Sequence, residues 1–254
     1  MTRVLVVNPN TTPSMTATIR EAATAAAPPD CAIVAREPTD GPVSIEGFYD
    51  EAFSVPGLLR EIARGEEEGG EGFGAHVIAC FDDTGLDAAR SIAAAPVVGI
   101  GEAAFHAASL VAHRFAVVTT LSRSIAAIEN NLLRYGLAAR CSGVTACEVP
   151  VLALHDPASD ARARISRECA RALDGGADAI VLGCAGMADL ARSLSAEHGV
   201  PVVDGVAAAV RMAHALAGLG LGTSKRGPYA QPRAKPYRGA FASDAPHGST
   251  DVAA

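Results

Sequence analysis

GAHVIACFDDTGLDAARSIAAAPVVGIGEAA, residues 74–104, decides how the chain is read, because it returns in a second version. Residues 176–209 read GADAIVLGCAGMADLARSLSAEHGVPVVDGVAAA. Each version opens Gly-Ala, runs through an apolar strand to a cysteine, and passes a short loop into a helix with an Ala-Arg-Ser step. Each then continues through Pro-Val-Val into another Ala-rich helix. Cys80 stands 16 residues before Pro96, and Cys184 stands 17 before Pro201. Unbroken apolar runs of this kind are the pattern of parallel strands covered on both faces.

Outward from the repeat, the same alternation fills the chain. Strands are expected at 3–7, 31–36, 76–80, 96–100, 115–120, 144–149, 179–184 and 201–205, with helices near 13–27, 50–67, 84–94, 102–112, 122–136, 158–174, 186–198 and 205–218. This predicts an α/β protein of two similar α/β lobes with mostly parallel sheets, related by a pseudo-two-fold axis, with a cleft between them. The first lobe is expected to take residues 1–97 plus about 208–240, and the second residues 98–207. Thr12 followed by Pro13 reads as a helix start, and Ser122 as the cap of the helix after FAVVTT. Gly136 and the pair Gly175-Gly176 read as helix stops.

Composition removes whole classes of function. The net charge of -7 offers no attraction to nucleic acid or an anionic membrane. No apolar run approaches the roughly 20 residues of a membrane span. MTRVLVVNPN has too short an apolar stretch for a signal peptide. A cytoplasmic protein with a small-molecule partner, assembled as a homo-oligomer, is expected. The six cysteines form no CxxC pair, so neither a zinc site nor a disulfide framework is indicated and free thiols are expected. With aromatics at 4% and no Trp, the core must be Ala, Val, Leu and Ile.

Two segments depart from the alternation. GPVSIEGFYDEAF (41–53) mixes turn residues with Phe48 and Tyr49 between a strand and a helix, and is a candidate substrate lid. From about Gly222 the chain is rich in Pro, Gly and Ser and carries five basic but two acidic residues. It reads as an extended arm, with residues 241–254 disordered. Tyr229 and Tyr237 are candidate anchors for its first half on an acidic lobe or a neighbouring subunit.

A strand-ending cysteine is by itself as well explained by core packing, since free Cys is among the most buried residues. Two in matching positions of matching units are not. Both are expected at the carboxyl edge of a parallel sheet, where open α/β sheets bind ligands, so that they face each other across one cleft. Paired like groups on opposite faces of a small substrate can invert a stereocentre. One thiolate takes the proton from carbon and the opposing thiol returns one. The helices expected after each cysteine would favour a thiolate through their dipoles. The enolate intermediate needs donors. Candidates are the backbone N–H groups around Phe81-Asp82 and Ala185-Gly186, and the hydroxyls of Thr119 and Thr120. The only lysines, Lys225 and Lys235, lie in the tail, so no cradled Schiff-base lysine is available and chemistry without a cofactor is expected.

Competing motifs are weaker. Asp82-Asp83 next to Cys80 suggests a metal site, but adjacent side chains seldom point one way and carboxylates with a thiolate make a mixed donor set. No metal is expected, and both aspartates are expected to cap the next helix and face water. GIGEAA (99–104) lacks the third glycine of a dinucleotide loop. Cys31, Cys141, Cys147 and Cys169 keep a structural reading.

VVNPNTT (6–12), GPVSIEGFYDEA (41–52), VIACFDDTGLDAAR (77–90), PVVGIGEAAFH (96–106) and IVLGCAGMADLA (180–191) together resemble the aspartate/glutamate/hydantoin racemase family, in its hydantoin and allantoin racemase branch. The resemblance implies an active site between two lobes and a Cys80/Cys184 two-base mechanism without cofactor or metal. It also implies that Asn10 touches the substrate and that Glu46, Gly47, Phe48 and Tyr49 shape the ring pocket. After Cys80 this chain has Phe-Asp-Asp-Thr-Gly where many hydantoin racemases have a Gly-Asp-Pro-Gly type of loop, which bears on the substrate more than on the reaction. The expected activity is racemisation of 5-substituted hydantoins, with allantoin a leading substrate. Alternatives are an aspartate or glutamate racemase, a maleate-type cis–trans isomerase or a decarboxylase on the same scaffold, and a noncatalytic small-molecule sensor.

Overall fold

The structure is a computed structural model describing residues 1–68, 72–156 and 158–246. Eight strands form in the eight expected places: β1 (Thr2–Val7), β2 (Cys31–Arg36), β3 (Ala75–Ile78), β4 (Val97–Gly99), β5 (Phe115–Thr119), β6 (Cys141–Ala146), β7 (Ala179–Gly183) and β8 (Val202–Asp204). The helices between them are α1 (Pro13–Ala26), α2 (Phe48–Glu67), α3 (Leu86–Ile92), α4 (Ile100–Val111), α5 (Ile125–Arg134), α6 (Ala161–Asp174), α7 (Ala191–His198) and α8 (Gly205–Gly218).

The strands make two four-stranded parallel sheets, ordered β2-β1-β3-β4 and β6-β5-β7-β8. The two orders are one topology used twice, so the doubled sequence unit is a doubled fold unit. In register, Val7 pairs with Ile78 and Thr119 with Gly183. Asn8 and Ala79 therefore leave the carboxyl edge of the first sheet side by side, with Cys80 one residue further on, as Thr120 and Cys184 leave that of the second.

One buried cluster joins the inner faces of both sheets. Val4, Val6 and Val77 meet Phe115, Val117 and Val181 through Ile100 and Phe105 of α4 and Val206 and Ala209 of α8. Close helix contact makes this possible: a Cβ on Gly205 would stand 2.7 Å from the Ile100 carbonyl oxygen. Separate clusters cover the outer faces, with Leu58 and Ile62 of α2 on Leu5 and Val7, and Ile165 of α6 with Leu194 of α7 on Val118 and Ile180. No helix among the described residues is long and apolar enough to cross a membrane.

Three local expectations are corrected. Ser122 begins a short 3-10 turn, Ser122–Ser124, and Ser124 precedes α5 instead. Asp82 and Asp83 do not cap the next helix, because the residue before α3 is Gly85, in the left-handed region at φ 72°. The tail is not loose from residue 241, because Gly239–Asp244 forms a 3-10 turn and Asp244 chelates Arg60 of α2 at 2.8 Å through both oxygens. Residues 247–254 of the expected disordered end lie outside the described residues. Upstream, Thr223 bonds Ala94 and Ala95, the Lys225 ammonium donates to the Arg90 and Ser91 carbonyls, and the Tyr229 hydroxyl donates to Asp87 at 2.8 Å. The arm is thus strapped along α3 of its own chain. Tyr237 is 40% exposed.

Candidate active site

Cys80 and Cys184 line one cavity between the sheet edges. Around them stand Asn8, Pro9, Asn10, Met15 and Ile45 from the first lobe, with Phe81 and Asp82 from the Cys80 loop. Thr120, Ser124, Val151, Gly183 and Ala185 come from the second. The cavity is about 40 Å³, room for a few water molecules. No arginine or lysine is among the lining residues.

The two thiols are held alike. The N–H of Asp82 reaches the Cys80 sulfur and the N–H of Gly186 reaches the Cys184 sulfur, each from two residues onward. The Thr84 hydroxyl adds a 3.4 Å contact to Cys80. Burial nevertheless dominates. It pushes the Cys80 thiol well above its ordinary value, with the Asp82 charge adding to the shift. The same desolvation pushes Cys184 up to about 12, the Gly186 N–H opposing it and Asp82 again adding. The expected helix-dipole activation is absent at Cys80, because α3 starts six residues later, whereas Cys184 directly precedes a 3-10 helix, Ala185–Leu190, that runs on into α7. A helix dipole fades within its first turn.

Asp82 and Asp83 have separate tasks. Asp83, 4% exposed and in the left-handed region at φ 51°, turns its carboxylate onto the start of α4. It accepts from the Gly101 N–H at 2.9 Å, the Glu102 N–H at 2.7 Å and the Tyr135 hydroxyl at 2.8 Å. Side chains at two glycines would collide with it, since a Cβ on Gly99 would stand 2.1 Å from Asp83 Oδ1 and one on Gly101 2.9 Å from Oδ2. GIG (99–101) is therefore a seat for Asp83, which accounts for the fragment that resembles a dinucleotide loop. Asp82 stays in the cavity wall. Burial first, then the Glu51 and Asp83 charges, push its carboxyl up to about 7, and the Ser124 hydroxyl opposes them.

Asn10 is placed as a donor. Its side-chain oxygen accepts from Asn8 Nδ2 at 2.9 Å and from the Thr12 N–H at 3.0 Å, which turns its amide nitrogen toward the Met15 sulfur at 3.4 Å. Sulfur is a weak acceptor, so this N–H₂ keeps donor capacity at the cavity.

Several other named residues stand off the cavity wall. The Thr119 hydroxyl donates to the Gly183 carbonyl at 3.0 Å and is spent inside the sheet, leaving Thr120 in the wall. Glu46 spans the cleft, accepting the Val151 N–H at 3.1 Å. Gly47, at φ 131°, is the turn into α2. Phe48 and Tyr49 are 58% and 77% exposed, so the aromatic ring pair of the expected lid, Tyr49 on Phe53 at 4.9 Å, faces outward. Gly186 contributes its N–H to Cys184. Cys147 and Cys169 are buried, and Cys31 and Cys141 are half-buried outside the cavity.

Residues not singled out from sequence complete the site. Asn8 precedes the assigned Asn10 within NPN. Glu51 lies inside the GPVSIEGFYDEA motif. Ser124, Asn131 and Tyr135 share one face of α5 and its lead-in turn, and all three bond the Cys80 loop, Asn131 Nδ2 donating to the Asp82 carbonyl at 2.8 Å. Their spacing of seven and four residues is a helix-face signal, but it does not say what the face touches.

Residues 4–213 match the model of the Asp/Glu/Hydantoin racemase family. The chain belongs to this family. It is 49% identical to the hydantoin racemase of Rhizobium meliloti over 235 residues, which is 92% of this chain and 96% of the relative. It superimposes on the allantoin racemase from Klebsiella pneumoniae with a TM-score of 0.92 at 47% identity, covering 96% of this chain and 98% of the other. Arylmalonate decarboxylase shares the fold alone, at 20% identity and a TM-score of 0.58, with 89% and 96% of the two chains covered.

Proposed function

We propose that the protein racemises 5-substituted hydantoins, allantoin among them, by a two-base reaction at C5 that uses Cys80 and Cys184 and no cofactor. The observation that carries this reading is the pair of thiols, delivered by equivalent strand ends of two equivalent lobes into one cavity without a cationic side chain. A free aspartate or glutamate would bring an α-carboxylate that needs a cation, whereas a hydantoin is a neutral ring. Similarity to a hydantoin racemase and to an allantoin racemase supports the same substrate class.

C5 of a hydantoin is flanked by a ring carbonyl, so loss of its proton gives an enolate. One cysteine, as thiolate, takes the C5 proton and becomes a thiol. The other, as thiol, gives its proton to the opposite face of C5 and becomes the thiolate. The pair ends with its roles exchanged, ready for the reverse reaction. The Asn10 amide and the Thr120 hydroxyl are assigned to the ring carbonyls, where developing negative charge would be met by donors already in position. Phe81 and Ala185 close the wall beside each thiol, with the Gly186 N–H holding Cys184. Glu46 is assigned to keep the lobes together, with Gly47, Phe48 and Tyr49 as the mouth above it.

Each enantiomer of allantoin and of 5-methylhydantoin, incubated in deuterated water, is expected to lose optical rotation while deuterium enters C5. Cys80→Ser and Cys184→Ser are each expected to reduce inversion by about 10²-fold or more, the scale of a lost general acid or base. Full inversion by either variant would overturn the two-base assignment.

A further inference from the structure

The two halves of the cavity differ at one matched position. Two residues after Cys80 stands Asp82, and two residues after Cys184 stands Gly186. Both donate their N–H to the neighbouring thiol, but only the first adds a side chain to the wall. That side chain is a carboxyl, placed where it disfavours ionisation of both cysteines. A charge that hinders both reacting groups needs another use.

The surroundings narrow that use. Asp83 is fully engaged by Gly101, Glu102 and Tyr135 and takes no part in the cavity. Asp82 is held by the Ser124 hydroxyl. Glu51, in the first turn of α2, carries a charge felt by both Asp82 and Cys80, and its Oε1 is buried without a hydrogen-bond partner among the described residues. Asp82 thus brings the carboxyl acceptor of the cavity wall, with Glu51 behind it rather than in the lining. A buried acceptor without a donor is costly, so a ligand that brings N–H groups is favoured over one that brings methyls.

We propose that Asp82, backed by Glu51, selects the C5 substituent by accepting hydrogen bonds from its N–H groups, so that a ureido substituent is preferred to an alkyl one. The inference rests on the hydantoin reading above and deepens it, because the ring is common to all such substrates and the ureido N–H groups are not. The urea edge offers adjacent N–H donors, which match the two oxygens of the Asp82 carboxylate, the form that predominates above about pH 7.

The test compares kcat/KM for allantoin and for 5-methylhydantoin in the full-length wild type, Asp82→Asn, Asp82→Gly and Glu51→Gln, with thermal unfolding of each variant as a check on folding. Wild type is expected to prefer allantoin. In Asp82→Gly, which copies the residue at the matched position, the allantoin preference is expected to fall about ten- to hundredfold, the scale of a hydrogen bond to a charged group. Asp82→Asn keeps one acceptor oxygen and is expected to fall less, as is Glu51→Gln. An unchanged ratio, or a parallel fall for both substrates, overturns the selection role. So does a wild type that inverts only 5-methylhydantoin, although the hydantoin reading then stands. A wild type that inverts neither substrate sinks that reading, and this inference with it.

Discussion

At the scale of single residues, burial rather than local charge sets the chemistry of the site. Both thiols are shifted upward, and Cys184 to about 12, so near neutrality each is overwhelmingly protonated. The thiolate fraction of such a group rises about tenfold per pH unit below its pKa. Accordingly, kcat/KM and the rate of iodoacetamide labelling at Cys80 and Cys184 are both expected to climb steadily from pH 7 to pH 9. A plateau below pH 8 would show a thiol already ionised. The Asp83 cage is as consequential. Tyr135→Phe removes one of its donors and leaves a buried carboxylate less satisfied, which should cost about 1–3 kcal/mol in thermal or denaturant unfolding. Gly101→Ala is expected to be worse for turnover than for folding, because its Cβ would meet the Phe81 carbonyl oxygen at 2.3 Å and push directly on the loop that carries Cys80.

Secondary-structure elements were the part of the molecule most legible in the sequence. Runs such as RVLVV and AIVLGC are apolar throughout, and a strand buried on both faces leaves that record locally. The paired cysteines were legible because the repeat supplied its own internal comparison. What stayed hidden was long-range. Nothing near Asp83 announces that its carboxylate will cap a helix beginning at Ile100, and a helix that starts six residues late looks, in sequence, much like one that starts at once. The outward turn of the aromatic segment stayed hidden for a similar reason: Phe48 and Tyr49 sit in the first turn of α2, on a face that the helix turns outward. The α5 face is the element-scale counterpart of the cage. Ser124, Asn131 and Tyr135 grip the Cys80 loop from the other lobe, and Arg134 pairs with Asp87 beyond it. Asn131→Ala is expected to raise KM more than it lowers kcat, since it loosens the loop without removing a group from the reacting atoms. Steady-state kinetics with a kcat loss at constant KM would contradict this.

At the scale of the whole molecule, the lobes are tied to each other across the cleft. Glu46 to Val151, Asn131 to Asp82 and Tyr135 to Asp83 are bonds that cross from lobe to lobe. The buried carboxyl of Asp82 links the stability of this assembly to pH. Its folded value of about 7 exceeds the ordinary 3.8, so the folded chain holds a proton that the unfolded chain has released. This contribution to stability is present in full below about pH 4 and is lost as pH rises through 7. Asp82→Asn removes the titration and is expected to raise the thermal midpoint more at pH 8 than at pH 5, in scanning fluorimetry or calorimetry. Equal shifts at both values would place the group in water.

The strap along α3 has a bearing on how the protein is made. Residues 115–204 supply every strand of the second sheet in one stretch, whereas α8, the Thr223–Tyr229 arm and the Gly239–Asp244 turn, which finish the packing around the first sheet, follow them off the ribosome. The half that is synthesised first is therefore the half completed last, and until then its α3 flank stands uncovered. A nascent chain whose first 205 residues have cleared the exit tunnel should hold a formed second lobe beside an unfinished first one, with Cys184 already at its strand end and Cys80 still waiting for the frame that will aim it.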